Sequence, residues 1–182
     1  MEKRTEKNIK KIVLIGPEST GKTELAKYLA NIFNSVWVPE YARQYVENLN
    51  RPYTFQDVEH IAKKQIELES EYLLKAKKWL FYDTYLIITK VWFDVVYKKV
   101  PHWLDQKIKE SDIDLFLLCN TDIPWEPDPV RENGGAMREK LFKMYENELK
   151  KYKFSYRIVQ GKGEERFKHA VNLVKDFFKI SL

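Results

Sequence analysis

Apolar and polar positions alternate along this chain in two rhythms. Short apolar or β-prone runs at residues 11–15, 35–38, 79–82, 114–119 and 155–160 predict five strands, the first ending at a glycine and the third at Asp83. Between them the apolar positions return at helical spacing. Leu25, Leu29, Ile32 and Phe33 predict a helix over 22–33. Residues 40–49 predict another, broken by Asn50, Arg51 and Pro52. Thr54 is placed to cap a long helix reaching about residue 77, with Val58, Ile61, Ala62, Ile66 and Leu73 on its apolar face. Residues 85–99 read as helix, although their β-branched content also allows a strand. Pro101 opens a short helix, and helices are expected over 138–151 and 164–179. Residues 121–130 hold Pro124, Pro127 and Pro129 and are expected as loop.

Strand and helix in strict alternation predict an α/β fold: a five-stranded parallel sheet with right-handed crossovers and helices on both faces. In such sheets the ligand site lies outside the carboxyl ends of the strands. The residues to inspect are therefore Gly16 onward, Glu40, Asp83, Asn120 onward and Gly161.

Composition narrows the class. The chain has 182 residues, enough for a single domain with one core, with residues 1–10 read as a basic lead-in to the first strand. Apolar residues at 44% and charged residues at 32% describe a globular chain rather than a disordered one. No apolar run approaches the roughly 18 residues of a membrane span, and the N-terminus lacks a secretory apolar segment. The single cysteine, Cys119, excludes an intrachain disulfide and reads as a small buried residue, so a cytoplasmic location is expected. The net charge of +5 suits an anionic partner, and because the basic residues are interspersed, a nucleotide is favoured over nucleic acid.

The first strand end carries the strongest chemical signal. Gly16-Pro17-Glu18-Ser19-Thr20-Gly21-Lys22-Thr23 matches the phosphate loop G-x-x-x-x-G-K-[ST] throughout. Glycines let the backbone turn several N–H groups toward one phosphate, and the following helix adds the positive end of its dipole. Lys22 is placed to reach the β and γ phosphates, and Thr23 to offer a hydroxyl to Mg²⁺. At average composition the pattern arises by chance about once per 30,000 positions. ATP with Mg²⁺ is the expected cofactor pair.

The other strand ends supply partners. Asp83 ends an apolar run, where phosphate-loop proteins keep a carboxylate in the Mg²⁺ shell; the alternative is a cap for the next helix. Glu40 would face the γ-phosphate and accept the proton of an attacking hydroxyl. Arg43, one helical turn on, would bind substrate or hold Glu40; the bland alternative is a surface ion pair. Arg131 and Arg138 bracket Gly134 and Gly135, which describes an Arg-bearing lid within the loop-and-lid stretch 121–138. Trp92, Trp103 and Trp125 are candidates to stack on a flat acceptor, Trp125 the best placed because its loop follows a strand. His60, His102 and His169 show no metal-ligand spacing.

Taken in order, the phosphate loop, Glu40-Tyr41-Ala42-Arg43, Phe81-Tyr82-Asp83-Thr84, Asp122-Ile123-Pro124-Trp125-Glu126 and the tail around Gly161 with Glu164-Glu165-Arg166-Phe167 resemble the ribosylnicotinamide kinase domain of NadR-type bacterial proteins and the related AAA_28-type ATPases. The resemblance runs over nearly the whole chain. It implies a P-loop kinase fold, ATP with Mg²⁺, a lid carrying arginine, and Glu40 as proton acceptor. Tyr41, Arg43, Trp92 and Trp125 are the expected contacts to the acceptor, and Gly161 an expected contact to the nucleotide. Two positions depart from the family pattern: Pro39 stands where a tryptophan is frequent, with Trp37 two residues earlier, and Tyr85 stands where a second acid is frequent. The function expected is transfer of the γ-phosphoryl of ATP to a nucleoside hydroxyl, nicotinamide riboside being the leading acceptor. The alternatives are a kinase of another nucleoside and a regulatory switch ATPase. The sequence is silent on oligomeric state.

Overall fold

The structure, a computed structural model, describes residues 9–181. Most of the expected basic lead-in therefore lies outside the described residues, and Lys10 already belongs to the first strand. The strands are β1 (Lys10–Ile15), β2 (Val36–Val38), β3 (Trp79–Asp83), β4 (Leu115–Cys119) and β5 (Tyr156–Val159). The helices are α1 (Lys22–Ile32), α2 (Tyr41–Glu47), α3 (Phe55–Lys75), α4 (Leu86–Tyr97), α5 (His102–Lys109), α6 (Ala136–Lys151) and α7 (Gly163–Phe178). All strands are parallel, in the order β2-β3-β1-β4-β5.

The period-2 geometry of a strand divides the sheet into two cores. Ile12, Leu14, Phe81, Leu115 and Leu117 face α1 and α7. Val13, Ile15, Leu80, Tyr82, Phe116 and Leu118 face α3 to α6. Both faces are covered, which is why the central strands read as unbroken apolar runs rather than alternating ones. The same packing decides the ambiguous segment after Asp83. Its β-branched residues form α4 because they sit between α3 and α6, where tertiary burial outweighs local propensity.

Two capping details position the site. Thr54 accepts the Asp57 N–H while the Asp57 side chain receives the Thr54 N–H, a capping box that fixes where α3 begins. Arg51 adds a two-point pair to Asp57 at 2.6 and 3.0 Å, tying down the turn between α2 and α3.

Candidate active site

The strand ends converge as the fold class requires. Leu14 of β1 is in register with Asp83 of β3, and the Thr84 N–H donates to the Leu14 carbonyl at 3.0 Å. The loop leaving β1 is thus beside the carboxylate leaving β3. Gly16 approaches β4 so closely that a Cβ would stand 2.7 Å from the Cys119 carbonyl oxygen, so no larger residue fits. Gly21 adopts φ +73° at the head of α1. Inside the loop, Thr20 Oγ1 and Lys22 Nζ each donate to the Pro17 carbonyl at 2.8 Å, which folds the lysine over the loop it belongs to.

Thr23 Oγ1 donates to Asp83 Oδ2 at 2.5 Å across the strand gap. Asp83 is fully buried, and its other oxygen, Oδ1, has no partner among the described residues. Burial raises its pKa despite the hydroxyl bond that favours its charge. A buried carboxylate with an idle oxygen beside a phosphate loop fits a divalent cation held mainly by phosphate oxygens. Among the described residues no cluster of three or more His, Cys, Asp or Glu would hold a metal unaided. The capping alternative for Asp83 does not apply, since Tyr85 occupies the N-cap of α4.

Glu40 is the N-cap of α2 and lines the same cleft. Its surface is only partly covered, but the carboxyl lies deep within the cleft. That burial pushes its pKa up to about 7, with Lys22 pulling it down and Asp83 pushing it up. Arg43 does not pair with Glu40. It bonds Glu47 at 3.0 Å and Asp128 at 2.7 Å, so its role as a clamp on Glu40 is replaced by one that holds the far loop.

That far loop, residues 121–135, forms a strap across the cleft mouth. Glu18 accepts the N–H groups of Glu132 at 3.3 Å and Asn133 at 3.0 Å, and Ser19 Oγ accepts the Glu126 N–H at 3.0 Å. Tyr53 donates to Glu132 at 3.1 Å from the α3 side. The two lid arginines occupy different places. Arg131 lines the cleft rim, its guanidinium bonded to Asp128 and the Glu126 carbonyl. Arg138, on the first turn of α6, is buried and spends its donors on the carbonyls of Glu18 (3.1 Å), Ser19 (3.0 Å) and Ile123 (2.8 Å). It braces the phosphate loop from the carbonyl side instead of facing the cleft. Gly134 packs closely on Trp125: a Cβ there would stand 3.2 Å from the ring, which would have to give by a few tenths of an ångström.

Trp125 therefore lies against the strap backbone, outside the cleft lining, while Trp92 does line the cleft and meets Tyr53 edge-on at 4.9 Å. Tyr41 points away, toward His60 at 3.2 Å, and Trp103 donates to Glu59 at 2.7 Å on the outer side of α3. Trp37 packs in the core beside α1 and α7, so it does not take over the position of Pro39. Tyr85 presents its ring to the cleft while its hydroxyl donates to Glu69 at 2.9 Å. Glu69 also accepts Tyr82 at 3.1 Å and Lys11 at 3.2 Å, a buried set that pins the cleft floor. Gly161 turns with φ +95° and gives its N–H to Asp122 at 2.7 Å. Arg166 ties the same corner together: it bonds Asp122 at 2.6 Å and the carbonyls of Thr20 and Asn120.

The cleft measures about 550 Å³, in the range of small-ligand sites. Its outer half holds the phosphate loop, Glu40, Arg43 and Arg131. Its inner half is lined by Ile61 and Gln65 of α3, Tyr85, Ile88, Thr89 and Trp92 around α4, and Leu141 and Tyr145 of α6. These are i, i+3 and i+4 positions, so three helices each turn one stripe inward. None of the inner residues was singled out by motif except Tyr85 and Trp92. Their signal was the helical spacing itself, which does not distinguish a core stripe from a pocket stripe.

A parallel sheet ending in a phosphate loop, an acidic strand end and an arginine-bearing strap defines a P-loop protein. The chain belongs to the AAA_28 family of AAA domains, whose model matches residues 11–166. It is 26% identical over 174 residues to the trifunctional NAD biosynthesis/regulator protein NadR of Salmonella typhimurium, covering 92% of this chain and 42% of that protein. The chain thus spans less than half the length of that relative. In structure it is similar to a NadR protein in complex with NR, with a TM-score of 0.80 and 21% identity over 96% of this chain and 52% of the other. It is also similar to thymidylate kinase from Ehrlichia chaffeensis, with a TM-score of 0.63 and 11% identity over 92% of this chain and 99% of that one. The P-loop kinase-like fold expected from the sequence is the fold observed.

Proposed function

We propose that this chain transfers the γ-phosphoryl group of ATP to the hydroxyl of a nucleoside, with nicotinamide riboside as acceptor and nicotinamide mononucleotide as product. The observation that carries the reading is a single cleft joining the phosphate loop to Glu40 and to a lining from α3, α4 and α6 that, among the described residues, contains no lysine or arginine. A nucleotide acceptor would bring a second phosphate and need free cations to hold it. Here Arg43 and Arg131 both turn to Asp128, which leaves the inner half suited to an uncharged or cationic acceptor. The similarity to NadR, including the structure holding NR, supports the same choice.

In this reading Lys22 leaves the Pro17 carbonyl and bridges the β and γ phosphates, while the loop N–H groups orient them. Thr23 and Asp83 would hold Mg²⁺, which supplies charge neutralisation between the phosphates when bound. Glu40 accepts the proton of the acceptor hydroxyl, a role matched by a pKa near the operating pH. Arg131 reaches the transferring group from the strap, and Arg138 keeps the loop in shape. A cytoplasmic location, where ATP is abundant, belongs to the same proposal.

The test is incubation with labelled ATP, Mg²⁺ and a panel of nucleosides. Nicotinamide mononucleotide formed only when the riboside is present supports the proposal. Product from another nucleoside alone would keep the kinase and reject this acceptor. Turnover independent of any acceptor would favour a switch ATPase.

A further inference from the structure

We propose that Gln65 is the residue that reads the acceptor ring, its side-chain amide pairing with an adjacent donor–acceptor edge such as a carboxamide. This rests on the kinase reading above and extends it to the specificity of the same cleft.

Gln65 projects from the middle of α3 into the inner recess and is 4% exposed. Its Nε2 is buried with no partner, and none of the hydrogen bonds among the described residues involves this side chain. Its polar neighbours on the helix are fully engaged. Asp57, two turns earlier, is bonded to Arg51, Thr54 and Tyr45. Glu69, one turn later, is bonded to Lys11, Tyr82 and Tyr85. Leaving a buried amide unpaired costs about 1–3 kcal/mol, and an apolar residue of the same shape would remove that cost. A glutamine at this position is therefore accounted for by a ligand that pairs with it.

The chemistry of that ligand follows from the surroundings. Ile61, Ile88, Trp92, Tyr85 and Tyr145 line the cleft beside Gln65, an apolar and aromatic surround. Such walls admit a planar ring and exclude water, which makes each polar contact inside more selective. A primary amide presents one donor and one acceptor side by side, and its two ends are interchangeable by rotation. It matches a carboxamide, or the lactam or amidine edge of a nucleobase. Among the described residues no lysine or arginine of α3, α4 or α6 lines the cleft, so the ring that Gln65 selects is neutral or positively charged. A pyridinium carrying a carboxamide meets both conditions.

The experiment compares the wild type with Gln65→Leu on two acceptors, nicotinamide riboside and the ribosylpyridinium that lacks the carboxamide, with adenosine, inosine, cytidine and uridine as further arms. A pocket built around a hydrogen bond discriminates strongly once that bond is lost. The expected result is a roughly 10- to 100-fold fall in the ratio of kcat/KM for nicotinamide riboside over ribosylpyridinium. The thermal midpoint of the ligand-free protein should stay or rise, whereas a structural role would lower it. If the penalty falls on a nucleobase nucleoside instead, Gln65 reads that ring and the carboxamide assignment is overturned. An unchanged ratio for every acceptor, with wild-type phosphorylation intact, overturns the proposal and leaves the kinase reading standing. If the wild type phosphorylates no nucleoside at all, the kinase reading fails and this proposal fails with it.

Discussion

Asn133 is held to Glu18 at two points: its N–H reaches Oε2 at 3.0 Å and its side-chain amide reaches Oε1 at 3.2 Å. A residue of the phosphate loop therefore grips the strap that crosses the cleft, 115 positions away in sequence. Replacing Glu18 with alanine removes three hydrogen bonds to Glu132 and Asn133 together. We expect hydrogen exchange at those two amides to speed up about tenfold or more, in line with roughly 1–1.5 kcal/mol per bond lost in local opening. Unchanged exchange would show that the other anchors, Ser19, Arg43 and Tyr53, hold the strap without it.

Lys22→Ala should abolish turnover while leaving the fold intact. The ammonium donates to the Pro17 carbonyl of its own loop, and the side chain belongs to neither core cluster. Circular dichroism and a phosphoryl-transfer assay on the same preparation check both halves. A fully active variant would remove the phosphate loop from the mechanism.

For Glu40→Gln the expected loss in kcat is about 10²- to 10⁴-fold, the usual span for general acid–base catalysis. The wild type carries a pH signature as well. With a free-protein pKa of about 7, Glu40 is protonated at acid pH and unable to accept the hydroxyl proton. The rate kcat/KM should rise with pH and level off above about 7, and the variant should lose this inflection. The stability effect has the opposite sense. A carboxylate whose folded pKa is raised stabilises the fold below its ordinary pKa and loses that contribution as pH climbs through 7. Glu40→Gln should thus raise the thermal midpoint more at pH 8 than at pH 5, and the reverse order would count against burial as the cause.

Asp83→Asn keeps the shape of the side chain and removes its charge. The idle Oδ1 is the oxygen left for a cation, so the Mg²⁺ requirement should rise and turnover slow. The pair with Thr23 survives in amide form, which keeps the ligand-free fold near wild-type stability. A Mg²⁺ titration that superimposes on the wild type would exclude Asp83 from the metal site.

The two arginines of the strap should separate. Arg131→Ala should lower kcat more than ATP affinity, because its guanidinium sits at the cleft rim where charge on the transferring group would develop. Arg138→Ala should lower the thermal midpoint as well as activity, since it leaves the half-buried carbonyls of Glu18, Ser19 and Ile123 without this donor. Nicking between residues 131 and 138 should slow when an ATP analogue and acceptor are both bound. Equal midpoints for the two variants would merge the roles assigned here.

What the sequence determined by itself was whatever a local pattern suffices to specify. The five strands, the sheet class and the phosphate loop were legible because strand runs, helical spacing and G-x-x-x-x-G-K-[ST] each lie within about twenty consecutive residues. The nearness of Asp83 to Thr23 followed from strand-end logic and is seen at 2.5 Å. Tertiary structure alone decided which polar side chains were free to act. Arg43 turned to Asp128 rather than Glu40, Arg138 turned to the loop carbonyls rather than the cleft, and Trp125 turned to Gly134. The two arginine choices are competitions between partners 15 to 120 residues apart, settled by which donor and acceptor the packed helices leave unpaired. Gln65 is the reverse case: its helical position was visible in the sequence, but only the folded cleft shows that none of the described residues pairs with its Nε2.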